Sequence, residues 1–585
     1  MSNTDNYDFE KSKQVQGEDK YSPYARKDWN YINDINNSNY QNNGLTMVQF
    51  DLSSIYNSSR MTDGSDLYLT IPIVLCAAFT SSVQALLTPV AGNCNLLSMK
   101  SNYVNLLHQA DLIVNGKTVE ETQPYLNSFL NLKMMSEMSI NDLQNLGPTI
   151  GFSECIDSYQ SQQWNSSLAT VNGTGMTNNK PFGFNAVPAT EQQLIISPYQ
   201  NNNTANKAVQ LRLSNIVDTT QPTHGNKIFG SGRIMTATQL ANEFKPYYTV
   251  LNTNYMVWYD YAVIRLKDVF ESMANMGLTK RFDANLRLYF NTGALSIPVV
   301  NPNLITLQYG AFSISNSTIT NTCPFTVNYL ADISDNGGLP TTTAFITAGC
   351  FIARVPNTTV GSSGANLSLS GASSPMNACR CYYSSIELEP SIMRSYIETN
   401  RNKAVIYRSV ISNQISAVSS GSSYSALLQS GMVGPVAVIL IPYISSTQDS
   451  LGYYQWQSPY DSCPATGAPL SLTNMSVTVG GVQQLATPLY YSYENFIEQV
   501  SVFEKLTSSD FGVSVGLFNK KWWENNRSYI VNIRSTPADM ITPRNINVSF
   551  TNNSSVAIDV LAFCVCLKQF DIDVETGLIK RVGLA

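Results

Sequence analysis

The sequence predicts a mainly β protein made of two tandem antiparallel jelly-roll sandwiches, a double jelly roll, with short helices and long loops. Three observations predict it. Strand-like segments separated by polar, turn-rich stretches recur along the chain. Two pairs of segments resemble one another across the chain: "NLRLYFNTG" with "NINVSFTNN", and "LYLTIPIVL" with "VAVILIPYI". A repeat this long marks two copies of a domain rather than a solenoid. The 585 residues also suffice for at least two domains with substantial cores.

The elements follow in order. Residues 1–44 read as an N-terminal arm, since "NYINDINNSNYQNNG" (Asn30–Gly44) has only Ile32 and Ile35 as aliphatic residues yet carries Tyr31 and Tyr40. The first jelly roll is expected over 45–318. "LTMVQFDLS" and "DLYLTIPIVLCAAF" are its opening strands, and "DLIVNGKTVEE" is a hairpin turning at Asn115–Gly116. "PYLNSFLNLKMMSEM" sets Leu126, Phe129, Leu130 and Met134 at helical spacing. "SINDLQNLGP" is a second helix, with Ser139 as N-cap, Asp142 in its first turn, and an exit at Gly147 before Pro148. The Asn/Gln/Ser/Thr-rich stretch near 151–247 reads as a long insertion, with "QLIISPY" and "AVQLRLSNI" as isolated strand candidates. "YMVWYDYAVIRL" is a strand, "KDVFESMANMG" a short helix, and "ANLRLYFNTG" a strand with Leu286, Leu288 and Phe290 on one face.

The junction is placed in the polar "ISNSTITNTCP" (Ile314–Pro324), and the second jelly roll over 319–570, with polar loops at Asn357–Ser374 and Gln414–Ser425. "SYENFIEQVSVFEKL" is an amphipathic helix turning Phe496, Ile497, Val500 and Phe503 inward, "SYIVNIRS" a strand, and "NINVSFTNNSSVAIDVLAFCVCL" a strand, a turn and a long strand. Residues 571–585 form a tail.

Composition excludes several function classes. Net charge is -6, so no basic excess exists to neutralise phosphates, and the lysines and arginines before Asn30 are matched by acids. Sequence-specific nucleic-acid binding is not expected. Charged residues are 13%, about half the usual share. A surface of amides and hydroxyls packs against copies of itself at smaller desolvation cost than a charged one. The longest apolar runs, "IPIVLCAAF" and "VAVILIPYI", are too short to span a membrane as helices. The N-terminus lacks a charged-then-apolar export pattern, which predicts a cytoplasm-like compartment. The ten cysteines include Cys379/Cys381 and Cys564/Cys566, spaced for strands and expected as reduced core thiols rather than zinc ligands.

No catalytic constellation emerges, and no cofactor or metal site is expected. Only His108 and His224 are present, and neither has a nucleophile signature nearby. "NGKT" lacks the upstream glycine of a phosphate loop, because Asp111 stands there. Glu387 and Glu389 alternate with Ile386 and Leu388 and read as a solvent face. "NKKWWENNRSY" reads as a loop wedged against a neighbouring element rather than a stacking platform. These absences favour an assembling protein over an enzyme. A secreted or cell-surface carbohydrate-binding sandwich is the alternative, and a β-rich hydrolase is disfavoured.

Residues Tyr21–Arg60, Ser508–Ser535 and Pro543–Phe563 resemble the corresponding stretches of major capsid proteins of virophages and polinton-like viruses. That resemblance runs nearly the whole chain. It implies a double jelly roll and a homotrimer forming a pseudo-hexagonal capsomer. It also implies contacts with neighbouring capsomers, a separate penton protein and minor capsid proteins, and an icosahedral shell around double-stranded DNA, assembled in the host cytoplasm or a viral factory. Some members lose a C-terminal segment to a viral cysteine protease; the ending "DIDVETGLIKRVGLA" leaves room only for a short trim. Within this frame the arm is expected to order against other subunits or the shell floor, with Asn30, Tyr31, Asn36 and Tyr40 as its contact residues.

Overall fold

The computed structural model describes residues 24–79, 97–152, 248–299, 323–327, 344–445, 470–533 and 541–584, apart from short interruptions within these stretches. Its sixteen principal strands fall into two sets of eight. The first set is β1 (Tyr24–Asn33), β2 (Gly44–Asp51), β3 (Tyr68–Phe79), β4 (Leu107–Val114), β5 (Lys117–Glu121), β6 (Tyr255–Arg265), β7 (Ala284–Val299) and β8 (Arg380–Leu388). The second is β9 (Asn402–Val418), β10 (Ser423–Met432), β11 (Pro435–Ile444), β12 (Leu472–Val479), β13 (Val482–Gln483), β14 (Tyr529–Asn532), β15 (Arg544–Asn552) and β16 (Ile558–Asp573).

Antiparallel pairing gives the first set the sheets β1-β8-β3-β6 and β2-β7-β4-β5. The second set forms β9-β16-β11-β14 and β10-β15-β12-β13. Counted within each set, the order is 1-8-3-6 and 2-7-4-5 both times, which is the winding of a jelly roll. The two resembling segment pairs occupy equivalent places. "NLRLYFNTG" and "NINVSFTNN" lie in the seventh strands, β7 and β15, and "LYLTIPIVL" and "VAVILIPYI" in the third, β3 and β11.

Each third strand carries a proline, normally excluded from sheet interiors because it cannot donate to a ladder. The prolines inside these strands, Pro72 and Pro442, sit where the ladder to one neighbour stops. β3 pairs with β8 only at Tyr68–Thr70 and with strand Ala344–Ile352 only from Ile73 onward, so Pro72 lies between the two ladders, where its O accepts from Ala353 N at 2.9 Å. β14 covers β11 only from Ala437 to Leu440, short of Pro442.

Three boundaries differ from the sequence reading. The segment before Gly44 is not wholly an arm, because Tyr24–Asn33 is the first strand of the first jelly roll. The junction does not lie at 314–324. Strand Ala344–Ile352 pairs with β3 and β7, and β8 closes the first jelly roll, so the crossing is helix α4 (Pro390–Thr399). The 357–374 segment therefore belongs to the β7–β8 connection. The 571–585 tail contains a strand, Ile579–Leu584, that turns back onto β16. Gln414–Ser425 spans the end of β9, a tight turn with Gly421 at φ 72, and the start of β10, and so carries the chain from one sheet of the second jelly roll to the other. Most of its residues are exposed, which made it read as a loop. The insertion near 151–247, its two strand candidates, and His224 lie outside the described residues.

In each jelly roll the connections after the third and fifth strands are long: 80–106 and 122–254 in the first, 445–471 and 484–528 in the second. The connection after the seventh is long only in the first, at 300–379. In a jelly roll these connections all leave from the same end of the sandwich.

Helix α1 (Leu126–Glu137) sits between the two jelly rolls. The apolar spacing predicted one buried stripe, but Asn127, Ser128, Asn131, Lys133 and Ser136 are buried as well. Polar residues survive there because each finds a partner. Ser128 Oγ and Tyr443 OH are 2.8 Å apart across the joint, and Asn131 donates to Asn105 Oδ1 at 2.9 Å. Helix α2 (Ile140–Ile150) has the expected N-cap, a full capping box between Ser139 and Asp142. It does not stop at Gly147 but runs through Pro148 to a left-handed exit at Gly151 (φ 69). Gly147 is required for a different reason: a Cβ there would meet Phe152 O at 2.6 Å.

Candidate assembly surfaces

The joint between the jelly rolls comes first, because it decides whether they act as one block. Arg408 Nε donates to Glu271 Oε2 at 2.6 Å, where Glu271 opens helix α3 (Glu271–Met276). Lys403 Nζ donates to Met276 O at 2.6 Å, and Asn275 Nδ2 to Ile406 O at 3.0 Å. Tyr407 OH donates to Val119 O. At the hairpin tip, Asn115 Nδ2 donates to Gly577 O at 2.6 Å and Lys117 Nζ to Ile579 O at 3.1 Å. Leu517 N–H donates to Met135 O at 2.8 Å, and the adjacent Gly516 approaches so closely that a Cβ would lie 2.3 Å from that oxygen. Apolar contacts are continuous across the joint, with Phe129 and Phe563 ring centroids 6.0 Å apart. With a continuous apolar centre and hydrogen bonds along its length, it fixes the two sandwiches to each other.

One carboxyl in this joint is unusual. Glu120 is 4% exposed and accepts from Ser272 N at 3.1 Å, from Ser272 Oγ at 2.5 Å and from Glu271 N at 3.3 Å. Burial pushes it up to about 7; the Ser272 hydrogen bonds oppose this, the Glu271 charge reinforces it and the Lys133 charge opposes it.

The second surface is the outer face of β1-β8-β3. An unbroken aromatic row crosses it. Trp29 and Tyr68 centroids are 5.7 Å apart, Tyr68 and Tyr382 stack at 4.9 Å, and Tyr382 and Tyr31 lie at 5.6 Å. Cations close both ends: Lys27 Nζ is 5.4 Å from the Trp29 ring and the Arg380 guanidinium 4.6 Å from the Tyr31 ring. Trp29 and Tyr31 each remain 51% exposed. Cross-strand pairing holds these side chains in place before any partner arrives.

The four residues expected to make contacts do not share one surface. Tyr31 lies in the aromatic row, and Asn30 beside it is exposed on β1, opposite Tyr383. Tyr40 turns inward, donating to Asp34 Oδ1 at 2.9 Å and accepting from Cys379 N at 3.0 Å. Asn36 bonds backbone of its own chain: Nδ2 donates to Met47 O at 3.0 Å and Oδ1 accepts from Gln49 N at 3.1 Å. These hydrogen bonds tie the segment to its own jelly roll. The sequence reading missed Asn42, whose side chain donates to Ile352 O and Arg354 O and accepts from Ile352 N. Trp29 was missed as well, although its alternation with Lys27 and Tyr31 placed it on one strand face.

The remaining chemical candidates are structural. His108 is buried on β4 and held at about 4 by desolvation, so it is neutral at physiological pH. Cys379, Cys381, Cys564 and Cys566 are free and buried. Glu387 is on the solvent side and pairs with Arg60 at 3.3 Å. In "NKKWWENNRSY", Trp522 and Trp523 are buried, so they offer no platform. Trp523 lies in an aromatic cluster with Phe496, Tyr491 and Tyr529. Among the described residues no three His, Cys, Asp or Glu side chains group as a metal site, and no helix is long and apolar enough to cross a membrane.

No family model and no curated protein matches the chain. Among solved structures it is similar to a chain of the Sputnik virophage, at 10% identity and TM-score 0.41, covering 98% of this chain and 92% of that one. It is similar to the mavirus major capsid protein at 10% identity and TM-score 0.39, covering 98% and 93%. The Faustovirus major capsid protein follows at 10% identity and TM-score 0.37, covering 94% and 92%.

Proposed function

We propose that this chain is a major capsid protein: a structural subunit of an icosahedral viral shell, with no catalytic role. The observation that carries the reading is the doubled jelly roll, two sandwiches of identical winding locked through a buried joint. Such a block presents two similar barrels side by side, so three copies make a capsomer with pseudo-sixfold outline, able to tile a shell as hexagons do. The resemblance of Tyr21–Arg60, Ser508–Ser535 and Pro543–Phe563 to virophage and polinton-like capsid sequences points the same way, and with it come double-stranded DNA as cargo, a penton partner at the vertices and minor capsid proteins. The net charge of -6 suits packaging by enclosure rather than by tight phosphate binding. Trp29 and Tyr31 are the contact residues we assign to neighbouring subunits, being half-exposed aromatics on a rigid sheet.

Light scattering on the purified full-length chain tests this. A stable species of three times the 64.4 kDa chain mass, or a larger closed assembly, is expected. A monomer at all concentrations and salt conditions overturns it.

A further inference from the structure

β1 is an edge strand. Among the described residues it pairs with β8 along one side only, and residues 25–33 are exposed or half-exposed throughout. An open edge presents unpaired backbone N–H and C=O groups to any other strand. Proteins usually guard such edges with charge or proline. β1 has no proline, and its charges are satisfied within its own chain. Arg26 pairs with Asp28 at 2.7 Å, Arg60 with Asp28 at 2.6 Å, and Lys27 with Asp66 at 2.7 Å.

We infer that the open edge of β1 pairs antiparallel with β1 of a second copy, about a two-fold axis at Asn30. The register follows from the sequence of the strand. Centring on Asn30 sets Trp29 opposite Tyr31 twice, and Lys27 opposite Asn33, with no like charges facing. Centring on Asp28 would oppose that carboxylate to its own copy and centring on Tyr31 would oppose it to Asp34, while centring on Trp29 would set Tyr31 opposite Lys27 and lose both Trp29–Tyr31 pairs. In the Asn30 register the row Tyr68–Tyr382–Tyr31 continues into Trp29 of the second copy and runs on across the joined sheet. A two-fold contact cannot build a threefold capsomer, so it joins one capsomer to the next. The inference rests on the proposed capsid role and adds to it a specific strand pairing.

The test is a disulfide scan of the full-length chain, with products mapped by mass spectrometry so that native thiols are told apart. Under mild oxidation of the largest assembly the chain forms, Asn30→Cys should give dimers linked symmetrically through position 30, at least ten-fold above the dimers from Ala25→Cys, which the register sets opposite Ile35. Mixing Trp29→Cys protein with Tyr31→Cys protein should give the 29–31 cross-link. Equal yields from Asn30→Cys and Ala25→Cys overturn the inference. So does a link at position 30 that appears only after residues 1–23 are removed, which would mean that these residues cover the edge. Shells of the Asn30→Cys variant that lack the symmetric link overturn this contact alone; a chain that never leaves the monomer overturns the capsid reading with it.

Discussion

Replacing Glu120 by glutamine should remove the pH dependence that this carboxyl gives the joint between pH 4.5 and 7. Glu120 is buried where the β5 strand meets helix α3, beside the contacts Arg408 and Tyr407 make from the second jelly roll. Its folded-state value of about 7 is above the ordinary 4.5. A carboxyl raised on folding favours the folded state while protonated, below about 4.5. That advantage shrinks as pH rises from 4.5 and is gone once pH passes about 7. A rise of this size corresponds to about 3 kcal/mol between the two ends of the window. Glutamine keeps an oxygen for the Ser272 donors and carries no charge. Its amide, however, faces the Glu271 N–H, a mismatch worth about 1 kcal/mol at any pH. The variant should therefore be slightly less stable than the parent at pH 4.5 and about 2 kcal/mol more stable at pH 8. Urea denaturation midpoints of both proteins, taken at half-unit steps from pH 4.5 to 8.5, measure the difference. It should climb between 5 and 7 and then level off. A flat difference across that window would refute the placement of a carboxyl raised by burial in the joint.

Gly516→Ala should cost about 3 kcal/mol or more, since φ +63 disfavours any side chain and the new methyl would displace the buried Leu517–Met135 hydrogen bond; the urea midpoint reads it. Trp523→Ala, which empties the centre of the Phe496–Tyr491–Tyr529 cluster, should lose about 3–5 kcal/mol by the same measurement. Trp29→Ser combined with Tyr31→Ser should change stability by only about 1 kcal/mol, because both side chains are half-exposed, yet should sharply lower the yield of assembled particles in sedimentation.

The strands most legible in the sequence were those with one buried and one wet face. Leu286, Leu288 and Phe290 are fully buried, while Arg287 between them is exposed, as alternation requires. The repeat was legible because the third and seventh strands lie centrally in both sandwiches and keep the same apolar pattern. The domain junction was not, because composition marks exposed connections rather than domain limits. The polar 314–324 stretch falls within the long β7–β8 connection, whereas the true crossing, α4, tucks Met393, Tyr396 and Ile397 partly against the core and reads as ordinary helix. β1 was missed as a strand for a related reason. An edge strand buries little, so "YARKDWNYIN" lacks the aliphatic signal, and its order comes from pairing with β8, some 350 residues away. The buried polar face of α1 was likewise invisible, since its partners come from distant elements such as Tyr443 on β11. Among the expected contact residues, composition alone could not separate the exposed Tyr31 from the inward Tyr40.

Electron microscopy of the purified full-length protein tests the central claim most directly. The account predicts particles of hexagonal outline with two barrels per subunit, or closed shells built from them. Monomers in which two separate lobes change their relative position from particle to particle would contradict both the rigid joint and the capsid role built on it.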